Sequence, residues 1–153
     1  MRKVILAVLV LAACAKTDDA AVDTTAADTA ATPSLSPVQT KYAGTWNGRS
    51  YRAGAPASDT GSKWVMTFTP ADTGLTGTLR FDGQTTDISI RVDEATDAGM
   101  RTTFGPYLSP TAGNVEVTTT TDGRIEGDSL FGTFVATPTT GDRVSGRFAA
   151  RRQ

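Results

Sequence analysis

The chain contains no histidine and a single cysteine, Cys14. Without histidine it lacks the commonest general base, proton shuttle and imidazole metal ligand. One cysteine closes no disulfide within the chain. The longest apolar run, residues 4–13, is half the roughly 20 residues a helix needs to cross a bilayer. Charge of one sign is also missing: 15 basic and 16 acidic side chains leave a net of −1, unlike the basic footprint of a nucleic-acid binder. No glycine-rich loop precedes a helix, so no phosphate loop is expected. Ser62 and Lys63 are adjacent, and on a strand they face opposite ways. The carboxylates of Asp87, Glu116, Glu126 and Asp128 fall in exposed alternation or turns, not in an evident catalytic pair. The oxygen-rich stretches "VDEATD" (92–97) and "DGRIEGD" (122–128) lack the spacing of a calcium hand and read as acidic turns. The expectation is a non-enzyme without cofactor or metal.

What is present begins at the N-terminus. Arg2 and Lys3 precede the apolar run, which ends in Leu11-Ala12-Ala13-Cys14. A charged start and a short apolar stretch form a secretory signal, not a membrane span. Leu-Ala-Ala-Cys resembles the lipobox of bacterial lipoproteins. That resemblance implies cleavage before Cys14, diacylglyceryl transfer to its sulfur, and acylation of the new N-terminus. Two or more acyl chains anchor a protein stably where one binds marginally. The thiol is then consumed as a thioether and offers neither nucleophile nor metal ligand. Ala15 follows the cysteine in place of the aspartate that favours inner-membrane retention. Palmitate-type lipidation of Cys14 therefore implies a cell-envelope protein, in the outer membrane at its periplasmic face if the organism has one.

Residues 14–40 read as the lipidated cysteine and a disordered tether rich in alanine, threonine, aspartate and proline. Sizeable apolar groups are few and show no helical period, too little to offset the entropy of ordering. Four aspartates against Lys16 give this stretch a net of 1 − 4 = −3, whereas residues 41–153 carry twelve charges of each sign. The organisation is thus signal peptide 1–13, tether 14–40, and one domain over 41–153.

That domain reads as all-β. Candidate strands are 42–52, 62–70, 75–81, 85–92, 99–108, 114–120, 123–136 and 142–151. Turn sequences separate them, including "DG" at 82–83 and 122–123. Trp64, Met66 and Phe68 alternate with Lys63, Thr67 and Thr69, and Ile88, Ile90 and Val92 alternate with polar neighbours. "SLFGTFVAT" is apolar on both parities and leaves its faces unassigned. Connections this short pair neighbours antiparallel. One apolar face per strand fits a closed barrel or a sandwich. The favoured architecture is a single small antiparallel β-barrel, a meander of about eight strands.

Glycine recurs between large apolar residues in Tyr42-Ala-Gly44-Thr-Trp46, Leu75-Thr-Gly77-Thr-Leu79, Leu130-Phe-Gly132-Thr-Phe134 and Val144-Ser-Gly146-Arg-Phe148. Such glycines make room for a side chain from across the core, or for a barrel corner. Gly44-Thr45-Trp46 and "GLTGTL" resemble the first strands of calycins, the small barrels that include lipocalins and avidins. The lipocalin resemblance implies a basic side chain from near the last strand over Trp46, with Arg147 or Arg151 in position to supply it. Leu79 stands where avidins place a biotin-holding tyrosine, so biotin is not implied.

Two functions follow. One is a non-enzymatic, membrane-anchored envelope lipoprotein whose β domain serves in binding or envelope structure, with an unidentified envelope protein or polymer outside the barrel. The alternative is a calycin-like carrier of a small apolar ligand, lined by Trp64, Met66, Phe81, Met100 and Phe104, with Tyr107 or Arg101 as polar element. Nine bulky side chains in a short barrel favour a filled interior. Arginines at 49, 52, 80, 91 and 101 suggest a solvated face of cross-strand pairs or, functionally, forks for an anionic polymer or carboxylate. The neutral charge of the domain argues against a focused patch.

Overall fold

The computed structural model describes residues 34–153; Cys14, the signal peptide and the tether up to residue 33 lie outside the described residues. A short helix, α1 (Pro37–Tyr42), leads into eight strands. These are β1 (Gly44–Arg52), β2 (Ser62–Ala71), β3 (Gly74–Phe81), β4 (Ile88–Ala95), β5 (Met100–Ser109), β6 (Val115–Glu126), β7 (Ser129–Pro138) and β8 (Val144–Arg152). Every neighbour in sequence pairs antiparallel, and β8 pairs back onto β1, closing the barrel in the order β1 to β8. Closure decides between the two architectures the alternation allowed: there is one continuous sheet and no free edge.

Most strand boundaries follow the turn chemistry, although Tyr42, expected in the first strand, ends α1 and β1 starts at Gly44. The "DG" at 122–123 is not a turn. Strand β6 runs through it, with Asp122 opposite Thr133 and Gly123 opposite Gly132, and the chain reverses at Gly127 with φ 57°. The reason is packing. A Cβ on Gly132 would lie 2.0 Å from the Asp122 carbonyl oxygen, and one on Gly123 3.0 Å from Phe148 Cζ. Glycine here permits close approach between and inside strands, which its hairpin signature conceals. Strand β4 also starts later than expected, at Ile88, and a register break between Val92 and Glu94 carries it to Ala95.

Closure resolves the ambiguous strand. Leu130, Gly132, Phe134 and Ala136 of β7 take the inward parity, while Phe131 and Val135 face outward with Arg124 stacked 4.4 Å over the Phe131 ring. The recurrent glycines do admit side chains from neighbouring strands. A Cβ on Gly77 would meet Phe68 at 2.8 Å, and one on Gly146 would meet Phe134 at 2.5 Å.

One end of the barrel is sealed. Residues 37–40, expected in the tether, belong to α1 instead. Ser36 caps the helix through a reciprocal box with Gln39, and Pro37 occupies the first turn, where a missing N–H costs nothing. Gln39 Nε2 also donates to the carbonyls of Ala71 and Gly74, both at 2.7 Å, fastening the helix to the β2–β3 turn. Tyr42 and Trp46 are completely buried beneath it with Phe68, Leu75, Ile90, Met100 and Leu130.

Candidate functional site

The sealed end contains the arrangement that the Gly-x-Trp motif implies, with a different arginine. Arg147 and Arg151 have the outward parity. Arg152 instead lies 4.3 Å over the Trp46 ring, donating to the Lys41 carbonyl at 2.5 Å and to the Ala43 carbonyl. Those carbonyls lie in the last turn and cap of α1, where a cation is favoured by the exposed C=O dipoles. Trp46 Nε1 donates to the Tyr42 carbonyl at 3.1 Å. The group is structural: it plugs the barrel.

Above the plug, the other half of the barrel holds a small chamber of about 100 Å³ that opens toward the β1–β2, β5–β6 and β7–β8 connections. Of the residues expected to line a ligand site, Trp64, Met66, Phe81, Phe104 and Tyr107 meet here. Met100 lies in the sealed-end core away from the chamber. Arg101 is on the outer face, where its Nε contacts Asp122 at 2.8 Å. The Tyr107 ring packs tilted against Phe81 and Phe104, with ring centres 5.8 and 5.7 Å away, and Trp64 meets Phe148 edge-on at 6.0 Å. Alternation alone did not identify the polar wall, which comes from threonines. Thr119 and Thr121 of β6 face inward, and the run of four threonines that contains them hides the parity until the register of β6 is known.

The polar atoms of this wall are already paired. Tyr107 Oη is 3.0 Å from Thr119 Oγ1, and Thr102 Oγ1 is 2.7 Å from Thr121 Oγ1. Among the described residues no buried side-chain polar atom lacks a partner. Burial pushes the Tyr107 phenol above its ordinary pKa, partly opposed by the Thr119 hydrogen bond, so it stays neutral at physiological pH. Nor does any group of three or more metal-capable side chains occur among the described residues. Asp93 is held below the usual carboxylate range by hydrogen bonds from Thr103 and Arg91, which makes it a stable anion on the outer surface rather than an acid catalyst.

A second concavity lies outside. It is an open groove of about 770 Å³ across β3, β2, β1, β8 and β7. Arg49, Lys63, Arg80 and Arg151 line it with Asp82, Asn47, Tyr51, Val65, Phe131 and Ala149. The register sets Lys63 directly opposite Arg49, Arg151 opposite Asn47, and Arg80 opposite Val65. Arg147 lies 5.7 Å over the Tyr51 ring at the groove's edge. Neutral overall charge therefore does not prevent a focused patch. Closure brings β1 and β8 together and gathers cations that lie about 100 residues apart in sequence.

The outward faces of the strands are mostly threonine, arginine and acid, with a few apolar residues such as Leu108, Phe131 and Val135, while most apolar residues point in. A membrane-spanning barrel has the reverse arrangement. No helix among the described residues is long and apolar enough to cross a membrane. A closed eight-stranded antiparallel meander, plugged by tryptophan and arginine at one end, is consistent with a calycin-like barrel. No family model, no curated protein and no solved structure matches the chain.

Proposed function

We propose that this is a non-enzymatic lipoprotein of the cell envelope, anchored through acylated Cys14, whose barrel binds a partner on its outer surface and carries nothing inside. The observation behind the outward reading is the size of the chamber. A small-molecule pocket ordinarily needs about 300 Å³ or more, and this one offers about 100 Å³ walled by packed aromatic rings and already paired hydroxyls. The anchor rests on the Leu-Ala-Ala-Cys motif. An anchored, outward-binding domain is compatible with a barrel whose exterior is polar and whose interior is filled.

The carrier reading has one observation in its favour: Trp64, Phe81, Phe104 and Tyr107 do converge on a chamber with an open mouth. Titration with a fatty acid brominated at its terminal carbon separates the two readings, because bromine quenches tryptophan on contact and Trp64 lines the chamber. The proposal expects no saturable quenching at micromolar ligand; saturable quenching makes the barrel a carrier. For the anchor, Cys14→Ser yields an uncut or soluble species. Mass spectrometry showing a free thiol on Cys14 in the mature protein overturns lipidation.

A further inference from the structure

We infer that the outer groove of β3-β2-β1-β8-β7 is a binding site for a carboxylate-bearing polysaccharide; this rests on the outward-binding reading and names its partner class. Lys63 and Arg49 face each other across β1 and β2. Like charges directly opposite on a sheet destabilise it; among the described residues Arg49, Lys63 and Arg151 form no salt bridge, while Asp82 lines the same groove and Arg80 reaches Asp87 at 3.7 Å. Arg49 is oriented by a hydrogen bond to the Thr60 carbonyl. By contrast Arg91, Arg101 and Arg124, outside this cluster, each contact a carboxylate at 2.6–3.1 Å. Three of the four groove cations, Arg49, Lys63 and Arg151, thus have no ion-pair partner among the described residues, unlike these three arginines.

The spread of these charges points to a polymer. Arg80 and Arg151 lie three strand spacings apart across the sheet, roughly 14 Å at about 4.8 Å per spacing. With both side chains standing off the sheet, a ligand that contacts the two must span most of that distance. Guanidinium forks match carboxylates in two-point geometry, and Asn47, Gln84 and Ser129 add neutral hydrogen-bonding groups suited to hydroxyls. A peptide would lose its main way of binding a sheet, because a closed barrel offers no edge to extend. A single-stranded nucleic acid needs open aromatic faces to stack on, and Arg124 and Arg147 already lie over Phe131 and Tyr51.

The test uses the full-length protein in detergent, with polygalacturonate as probe, neutral dextran as its uncharged counterpart, and two vesicle types, neutral and anionic. The variants are Arg49→Ser/Arg151→Ser in the groove and Arg91→Ser outside it, each checked for an unchanged urea midpoint. Polygalacturonate is expected to bind in a salt-sensitive manner, dextran not at all. The groove variant should bind roughly tenfold or more weakly, since two charge-assisted contacts are lost, and Arg91→Ser should match the wild type. Three results overturn the inference: no polygalacturonate binding, binding unaffected by the groove variant, or groove-dependent preference for anionic vesicles alone. The acyl anchor contributes equally to both vesicle types, so only their difference is read. Failure of the outward reading itself would be seen separately, as saturable fatty-acid quenching that the groove variant leaves intact.

Discussion

Removing the plug should reveal how much of the barrel depends on it. Trp46 is fully buried, bonded through Nε1 to the Tyr42 carbonyl, and covered by Arg152 at 4.3 Å. Trp46→Ala should cost about 3–5 kcal/mol, as truncation of large buried aromatics does. Arg152→Ala removes two charge-assisted bonds, to carbonyls in the last turn and at the C-cap of α1, and the contact with the ring, together about 2–4 kcal/mol. Because the two side chains form one unit, their effects should not add. A cycle using Trp46→Leu with Arg152→Ala should give a coupling of about 1–2 kcal/mol. Total stability of a small domain is about 5–15 kcal/mol, so each single variant should still fold in the cold. Urea unfolding provides the assay, and in the Trp46 variants Trp64 is the sole tryptophan reporting the transition. A loss below about 1 kcal/mol for Trp46→Ala, or strict additivity in the cycle, refutes the plug as described.

Gln39→Ala should cost about 1–2 kcal/mol by removing half of the capping box and both bonds to the β2–β3 turn, measured by urea midpoint. Gly146→Ala should destabilise by about 3 kcal/mol or more, because its Cβ would sit 2.1 Å from the Tyr51 carbonyl oxygen and 2.5 Å from Phe134; thermal melts will show it. Stability should also fall in alkali. Burial raises the folded-state pKa of Tyr107, and burial with nearby Asp97 raises that of Tyr42. Each stabilising contribution is therefore present below the unfolded tyrosine value of about 10 and is lost as pH rises through the folded value. Tyr107→Phe should shrink that alkaline limb, followed by urea titration at a series of pH values.

Most of the barrel was legible because a period of two with one apolar face is a local signal, as in Trp64-Met66-Phe68. Ser36-Pro37-Val38-Gln39 carried a local signal too, a serine cap with proline at the first turn and glutamine at the third, but it was masked by the tether-like composition around it. Gly123 misled for the opposite reason: aspartate–glycine fits a hairpin turn and equally a glycine pressed against a neighbouring strand, and only long-range packing distinguishes them. The choice of Arg152 over Arg147 or Arg151 turns on the parity of the last strand, set by its pairing with β1. The groove was hidden on the same account. Arg49, Lys63, Arg80 and Arg151 become neighbours through pairings that include β1 with β8, a contact between the ends of the domain that no local pattern reveals.

The account's central claim, that this barrel binds outside and is filled inside, is tested most directly by an amide chemical-shift map of the labelled protein, titrated in turn with polygalacturonate and with a long-chain fatty acid. The account predicts that polygalacturonate shifts the amides of Asn47, Arg49, Lys63, Ala149 and Arg151, and that the fatty acid moves none of Trp64, Phe104, Thr119 and Thr121. Saturable fatty-acid shifts at those chamber residues, with the groove silent to the polymer, would contradict it.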